Sequence, residues 1–496
     1  MLFIFKQIYK IEFILVQKRI VIFYICNMGR TRKKITIENV TVEDAGAKGK
    51  SIARLENGLV LFIEGAVPGD VCDVLVHKKR RSFLEGKPIK FHSYSDKRIE
   101  PKCEHFGLCG GCKWQFMSYE YQLEYKQKEV VDSLTRIGGI EIPEVSPILG
   151  CDKEYNYRNK MDYAFTNRRW ITQEESEKGE EFEHRNGAGF RVAGMWDKVI
   201  DLNQCHLQAE PSNEIRKSAR DYAIENKLDF FDIAQQEGLL RNLTIRMSSN
   251  GQIMVLVQFF YEDSEKREGL LNHLHTSFPQ ITSLLYTINS KGNESIFDLD
   301  ILTFKGEDFI YEEMEGLKFK IGPKSFYQTN SLQAYELYKV SRDFAQIDKE
   351  DIVYDLYTGT GTIAQFVAKN AKKVIGVESV PEAIAAAKEN AKNNNIENCE
   401  FYVGDMKEIF TEKFIEENGK PDVVITDPPR DGMHKNVIAQ LLDVGPKRIV
   451  YVSCNPATQA RDLSLMNEHY KVTKVQPVDM FPQTYHVENI VLLEKR

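Results

Sequence analysis

No stretch of this 496-residue chain is apolar for long enough to cross a bilayer. The N-terminal segment Met1–Asn27 is rich in Ile and Phe, but Lys6, Lys10, Glu12, Lys18 and Arg19 break it into short runs. It also lacks the basic start, clean apolar core and small-residue cleavage site of a secretion signal. Met28-Gly29-Arg30-Thr31-Arg32-Lys33-Lys34 reads as an ordinary start. Met28 is therefore expected to be the initiator, with residues 1–31 outside the folded protein. Cysteine is scarce, and the nine present are clustered rather than evenly spread. That excludes a disulfide scaffold and points to a reducing, cytoplasmic setting. A surplus of positive charge is missing too. The formal net charge of −7 argues against a uniformly basic nucleic-acid binder, though not against a local basic patch. No internal repeat or low-complexity tract stands out. What remains is an ordinary globular composition, long enough for about two to four domains.

Residues 32–94 read as a small all-β module. Short apolar stretches (Ile35–Val42, Leu59–Ile63, Val71–Val76) alternate with Gly-rich turns at Gly46, Gly49, Gly58 and Pro68-Gly69. Lys78-Lys79-Arg80-Arg81, followed by Lys87, Lys90, Lys97 and Arg98, supplies an electrostatic footprint for phosphates if the module binds RNA. Through its Gly-rich turn and Val67-Pro68-Gly69-Asp70 the stretch resembles the TRAM domain, an OB-like RNA-binding barrel.

Next comes Cys103-x5-Cys109-Gly110-Gly111-Cys112. Three cysteines this close, with two glycines that let the chain wrap, have metal-ligand spacing, and thiolates suit zinc or an iron–sulfur cluster. A closed site needs a fourth ligand. Cys151, Cys205, His105 and His206 are candidates. Cys205 is favoured because it follows a strand end just before a predicted helix, and Cys3His ligation through either histidine stays open.

Helical periodicity covers Tyr119–Ile137, and residues 155–320 read as a strand-rich middle domain. Within it, Arg158-Asn159-Lys160-Met161-Asp162 fits a nucleic-acid contact or an exposed turn equally well. The charged stretch Glu174–Glu183 reads as a solvated loop or hairpin tip. From residue 321 onward, strands and helices alternate: Ile352–Leu356, Ile363–Asn370, Lys373–Val377, Pro381–Asn394, Cys399–Val403, Asp422–Thr426, Lys435–Leu442 and Arg448–Val452. That alternation predicts a doubly wound parallel sheet. The fold class is thus multidomain α/β, with a Rossmann-like domain over 321–496, a central α+β domain over 95–320 and the N-terminal β-module.

Three strand ends carry chemistry. Asp355-Leu356-Tyr357-Thr358-Gly359-Thr360-Gly361-Thr362 leaves a strand and opens a helix, and Glu378 ends the next strand, where a carboxylate can hold a ribose diol. The loop lacks the third glycine of a dinucleotide site and the Lys-Ser/Thr of a P-loop, so a nucleoside without pyrophosphate fits best: S-adenosylmethionine (SAM). Gly404-Asp405, ending the following strand, is a natural adenine-side contact or an ordinary capping aspartate. Asp427-Pro428-Pro429-Arg430 ends the next. Related tetrads with an aromatic in fourth place mark exocyclic-amine methyltransferases. Arg430 departs from them and points to nucleophilic catalysis, for which Cys454 in Ser453-Cys454-Asn455-Pro456 lies at the end of the following strand. Taken alone, Cys454 reads as a buried core cysteine.

Taken together, the Phe-x-Gln-x-Asn around Gln328, the Gly loop, Asp-Pro-Pro-Arg, Ser-Cys-Asn-Pro-Ala-Thr and Asp479-Met480-Phe481-Pro482-Gln483-Thr484-Tyr485-His486-Val487-Glu488 resemble the RNA uracil-5-methyltransferase family. The likeness extends over the cysteine segment and the β-module, so it covers essentially everything after Met28. It is greatest to the large-subunit (23S) ribosomal-RNA branch, which carries a TRAM domain and a [4Fe–4S] cluster. The resemblance implies cluster ligands Cys103, Cys109, Cys112 and Cys205, and SAM contacts at Gln328, Tyr357, Glu378 and Asp427. It also implies Cys454 as nucleophile and Glu488 as base. Gln483 stands where the family usually has His, a departure not expected to alter the chemistry.

The expected function is methyl transfer from SAM to C5 of a uridine in ribosomal RNA, by a monomeric enzyme. Transfer-RNA methylation, a cytosine-5-methyltransferase and a non-catalytic RNA-binding factor with a SAM fold are the alternatives. Four-cysteine ligation would leave no open iron position, so a folding or RNA-positioning role fits a cluster better than electron transfer.

Overall fold

In Val71–Lys79, Cys72 and Val74 are buried and the residues beside them are half-exposed. That period of two makes a strand with one face on a core. Strands Ile35–Thr41, Val71–Lys79, Phe83–Ser93, Val60–Ile63 and Ser51–Arg54 are hydrogen-bonded neighbours in that order, around Val40, Ala53, Leu61, Ile63, Cys72 and Val74. Asp70, in the Val-Pro-Gly-Asp turn, is fully buried but satisfied. It accepts from the amides of Val67 (2.7 Å) and Ser95 (3.0 Å), while Gly69 takes the φ of +100° that closes the turn.

This computed structural model describes residues 35–179 and 181–496, and the expectations for residues 1–31 and Met28 lie outside them. The chain forms two compact units. One runs to Asp44 and resumes over Lys50–Asp96; the other joins Ala45–Gly49 to Lys97–Arg496. The central region and the C-terminal region expected as separate domains therefore share one unit.

In the second unit, helix α1 (Tyr119–Asp132) continues into a wider turn, Ser133–Ile137. A seven-stranded sheet follows, ordered Leu302–Gly306, Ile281–Ile288, Ile253–Phe259, Leu240–Met247, Lys160–Thr166, Gly187–Arg191 and Val199–Asp201. The stretch expected as a solvated loop instead begins with a short helix, Gln173–Glu177. Thr172 caps it by accepting from the Glu175 amide, a local signal that the charge run masked.

The C-terminal sheet consists of β1 (Ile352–Leu356), β2 (Lys373–Glu378), β3 (Cys399–Val403), β4 (Val423–Thr426), β5 (Arg448–Ser453), β6 (Tyr470–Val478) and β7 (Glu488–Lys495), in the order 3-2-1-4-5-7-6. β1 to β5 are parallel, as the alternation predicts. The sheet is not wholly parallel, however. β7 inserts antiparallel between β5 and β6, because β6 and β7 are joined by a hairpin loop, 479–487, rather than a crossover helix. Alternate residues serve two cores. Val353, Val423, Val450, Val452 and Ile490 pack with Leu337 and Tyr338 of helix Ser331–Ala345 on one face. Tyr354, Val424, Ile449, Tyr451 and Val491 pack on the other with Leu441, Leu463 and, from α1, Val130. Burial on both faces explains why these strands read as continuous apolar runs.

Candidate active site

The Gly loop leaves β1 through three left-handed residues: Tyr357 (φ 62°), Gly359 (φ 54°) and Gly361 (φ 76°). A Cβ on Gly361 would stand 2.8 Å from the Phe401 ring and 2.9 Å from the Ala387 methyl, so only glycine fits. Gly359 instead faces open space, with nothing within 4 Å of where its Cβ would be. Asp355 ties the loop to its helix, accepting from the Ala364 amide (3.0 Å) and the Thr358 hydroxyl through Oδ2. Its Oδ1 is buried without a partner, and burial pushes the carboxyl up to about 7.

Glu378 ends β2 and accepts from the Ser379 (2.7 Å) and Val380 (3.1 Å) amides with one oxygen and from Gly359 (3.3 Å) with the other. Bare backbone, an open gap and a fixed carboxylate beside it suit a nucleoside with a free diol, so the loop fits SAM. Asp405 spends one carboxylate oxygen on the Lys407 amide (2.9 Å), a capping role.

Gln328 lies in the turn that leads into helix Ser331–Ala345. Asn159 holds it, donating to the Gln328 carbonyl (2.9 Å) and the Ser331 hydroxyl (2.8 Å). Arg246, buried, donates to the Ser325 carbonyl (3.0 Å) of the same turn. Asn159 lies in the stretch that sequence left between an RNA contact and an exposed turn. Its work is to fix the Gln328 backbone. Nothing in its spacing marks that role.

Cys454 follows the last residue of β5 and immediately precedes Asn455, which caps helix Pro456–Met466. The Asn455 side chain accepts from the Ala457 amide (3.2 Å) and donates to the Arg430 carbonyl (3.0 Å), which also receives the Thr458 hydroxyl (3.0 Å). These bonds hold the Asp-Pro-Pro-Arg loop against the cysteine turn. Because Ser453 pairs with Asn489 across β5 and β7, Cys454 and Glu488 are the next residues of the two strands. The structure thus brings Cys454, Glu488, Asp427 and Arg430 together.

Electrostatics follow from that grouping. Burial, then the Asp427 carboxylate, pushes Glu488 up to about 8, against the pull of Arg430. Burial raises Asp427 to about 7. Cys454 is half-buried; burial and the two carboxylates push its thiol up to about 11, while Arg430 acts the other way, partly through a hydrogen bond. The helix N-terminus one residue on also favours a thiolate. Such a site can supply a nucleophile and a carboxylate of unusual basicity to one bound base.

Cys103, Cys109, Cys112 and Cys205 are all free thiols packed on or near the central core. Burial pushes Cys112 up to about 12 and Cys205 to about 11, each further raised by Cys103 and Cys109. Cys151 stands elsewhere, with the Asn330 amide group 3.5 Å from its sulfur. The imidazole of His105 accepts from the Asn203 amide (3.0 Å), and His206 lies edge-on to Tyr155. Among the described residues, no three His, Cys, Asp or Glu side chains are gathered as a ligand set for a metal ion. Cys112 feels the charges of Cys205, Cys109 and Cys103, while Lys113 favours a thiolate at Cys109 and Arg216 one at Cys205, an all-sulfur donor set of the kind that suits zinc or an iron–sulfur cluster. No helix among the described residues is long and apolar enough to cross a membrane.

Residues 295–496 match the family model described as tRNA (Uracil-5-)-methyltransferase, and residues 32–89 match the TRAM domain. Two relatives, each described as an uncharacterized RNA methyltransferase, come from Bacteroides thetaiotaomicron and Porphyromonas gingivalis. The first is 54% identical, over 91% of this chain and 100% of its own length. The second is 52% identical, over 91% of this chain and 98% of its own. The crystal structure of Pyrococcus abyssi tRNA (uracil-54, C5)-methyltransferase in complex with S-adenosyl-L-homocysteine superposes with a TM-score of 0.70. Its identity is 27%, over 92% of this chain and 100% of the other.

Proposed function

This chain belongs to the tRNA (uracil-5-)-methyltransferase family of SAM-dependent RNA methyltransferases, and we propose that it methylates C5 of a uridine in 23S ribosomal RNA through a covalent Cys454 adduct. The observation that carries this reading is the side-by-side placement of Cys454 and Glu488 at the ends of β5 and β7, with Asp427 and Arg430 against them.

Uracil C5 is too weak a nucleophile to take a methyl group unaided. Cys454 adds as thiolate to C6 and drives electron density onto C5 and the O4 enolate. SAM, when bound, supplies the electrophilic sulfonium methyl. Glu488 then takes the C5 proton, the C5–C6 double bond re-forms and the thiolate leaves. A carboxylate whose proton affinity is raised by burial is a stronger base for that carbon acid than an exposed one. Arg430 favours the Cys454 thiolate.

Gln328, Tyr357, Glu378 and Asp427 are assigned to SAM, with Glu378 on the ribose. Asp427 is shared between the donor and the uracil edge. Cys103, Cys109, Cys112 and Cys205 are assigned to a [4Fe–4S] cluster with a structural role. Support comes from their mutual proximity and from the separate location of Cys151. In domain terms, residues 32–94 supply RNA affinity, 95–320 carry the cysteine site and 321–496 the chemistry, in a cytoplasmic monomer. The target uridine must leave its stack, which costs least in a single-stranded loop.

Nucleoside mapping of RNA from a deletion strain tests the substrate. Loss of one or more 5-methyluridines from 23S rRNA is the expected result, and loss from tRNA alone would give the substrate named for the Pyrococcus enzyme. Loss of 5-methylcytidine instead would refute uracil as the target.

A further inference from the structure

Val478 and Glu488 are register partners, so the loop 479–487 closes directly onto the proposed base. Within the loop, Asp479 accepts from the Phe481 amide (2.9 Å) and the Phe481 carbonyl receives the Thr484 hydroxyl (2.8 Å), and further bonds come from outside it. Its Asp479 is fully buried and accepts from Lys126 Nζ (2.6 Å) and the Tyr119 hydroxyl (2.9 Å), both on α1. Lys126 also donates to the Phe481 carbonyl (3.2 Å). Gln122, one turn away and fully buried, grips Gln483 twice. Its Oε1 accepts from the Gln483 amide (2.9 Å), and its Nε2 donates to the Gln483 side-chain oxygen (3.1 Å). The Gln483 carbonyl receives the amides of Lys113 (2.9 Å) and Trp114 (3.1 Å), directly after Cys112. Tyr157 donates to the Pro482 carbonyl (3.0 Å). Gln483 itself sits at φ 69°, a conformation that these bonds hold in place.

Elsewhere, the Met480 carbonyl of the loop receives Asn330 Nδ2 (3.0 Å), beside the Gln328 turn, and Gln459, on the helix after the cysteine turn, bonds to Asn489 beside Glu488. The cysteine turn is tied through Asn455 and Thr458 to Arg430, and the Gly loop through Asp355 and Glu378. The base and the nucleophile share the β5–β7 ladder and the Gln459–Asn489 bonds, while the loop leading into Glu488 takes its further bonds from α1 and the backbone after Cys112. Resting on the assignment of Cys454 and Glu488 above, we propose that Gln122, Lys126 and Tyr119, with the backbone after Cys112, form a clamp that positions Glu488 for the second half of the reaction. They are positioning residues: they touch the loop and not the reacting atoms.

The two half-reactions separate the effects. Loosening the clamp leaves C6 attack and methyl transfer intact but slows C5 proton removal, so methylated RNA stays bonded to Cys454. The full-length protein is mixed in single turnover with ribosomal RNA and methyl-labelled SAM, then quenched in SDS. In Gln122→Leu and Tyr119→Phe, label enters the SDS-stable protein–RNA band at close to the wild-type rate. Its release slows roughly ten- to a hundredfold, the scale of a misplaced catalytic group. Tyr119→Phe removes one hydroxyl and no charge, and decides the matter should Gln122→Leu not fold. Release at the wild-type rate in these variants overturns the clamp, as does equal slowing of label entry and release. Glu488→Gln should hold the adduct and Cys454→Ala should form none. Failure of those two controls would instead overturn the assignment of base and nucleophile.

Discussion

Cys454 and Glu488 stand one residue beyond the Ser453–Asn489 pair of β5 and β7, so a thiol and a buried carboxylate meet at one end of the sheet. They arrive from opposite strand directions, the cysteine leaving β5 and the glutamate entering β7. The antiparallel insertion of β7 is what makes this possible. A wholly parallel sheet would have sent the first residue of β7 to the opposite end of the sheet.

Glu488 should impose a pH dependence on adduct breakdown. Its carboxyl, pushed to about 8, is mostly protonated at neutral pH in the free protein, so release of methylated RNA should quicken as pH rises through about 8 and then level off. The facing groups are Asp427, Arg430 and Cys454, and Tyr338 also lies within reach of the carboxylate. Single-turnover release rates between pH 6 and pH 9.5, values chosen to bracket that shift, check this.

The same shift bears on stability, and the sign is fixed. A carboxyl whose folded pKa lies above its unfolded value favours folding most fully below the unfolded value, near 4.5, and loses that contribution as pH rises to about 8. Glu488→Gln should therefore melt higher than wild type. The gap should widen from pH 4.5 to pH 8 and stay constant above it, reaching the order of a few kcal/mol. Differential scanning calorimetry across that range measures it.

Asn159→Ala removes two hydrogen bonds that fix Gln328 and Ser331. At about 1 kcal/mol each, SAM affinity should fall roughly five- to thirtyfold while the Cys454 adduct chemistry at saturating SAM is little changed. Calorimetric titration of SAM gives the first number and single-turnover rates the second.

Cys112→Ser removes one of the four thiols assigned to the cluster and leaves its neighbour Lys113 bonded to the Gln483 carbonyl. Anaerobically purified wild type should carry iron and sulfide with a broad visible absorption, and the variant should lose most of both. Zinc in place of iron would refute the cluster assignment.

The C-terminal sheet was the most legible part of the chain. β1 to β5 are buried on both faces, so each reads as an unbroken apolar run, and their helices carry clear starts such as Asn455-Pro456. Asp427, Glu378 and Cys454 were accessible to sequence reasoning because each ends such a run. The insertion of β7 was not legible, since strand order depends on pairing partners rather than on local pattern. Asn159 was equally hidden: its role comes from meeting Gln328, 169 positions away in sequence. Gln483 reads as a minor departure at one motif position, yet it bonds to Gln122 from 361 positions away. Long-range partners of this kind leave no periodic trace.

The proposed mechanism turns on the bond from Cys454 to uracil C6. Ribosomal RNA carrying 5-fluorouridine tests it most directly, because fluorine at C5 cannot be removed as a proton and the adduct persists. After incubation with SAM and nuclease digestion, mass spectrometry of tryptic peptides should find a methylated fluorouridine nucleotide on the peptide containing Cys454, and none in Cys454→Ala. The same mass increment on another peptide, or an undiminished adduct in Cys454→Ala, would contradict it.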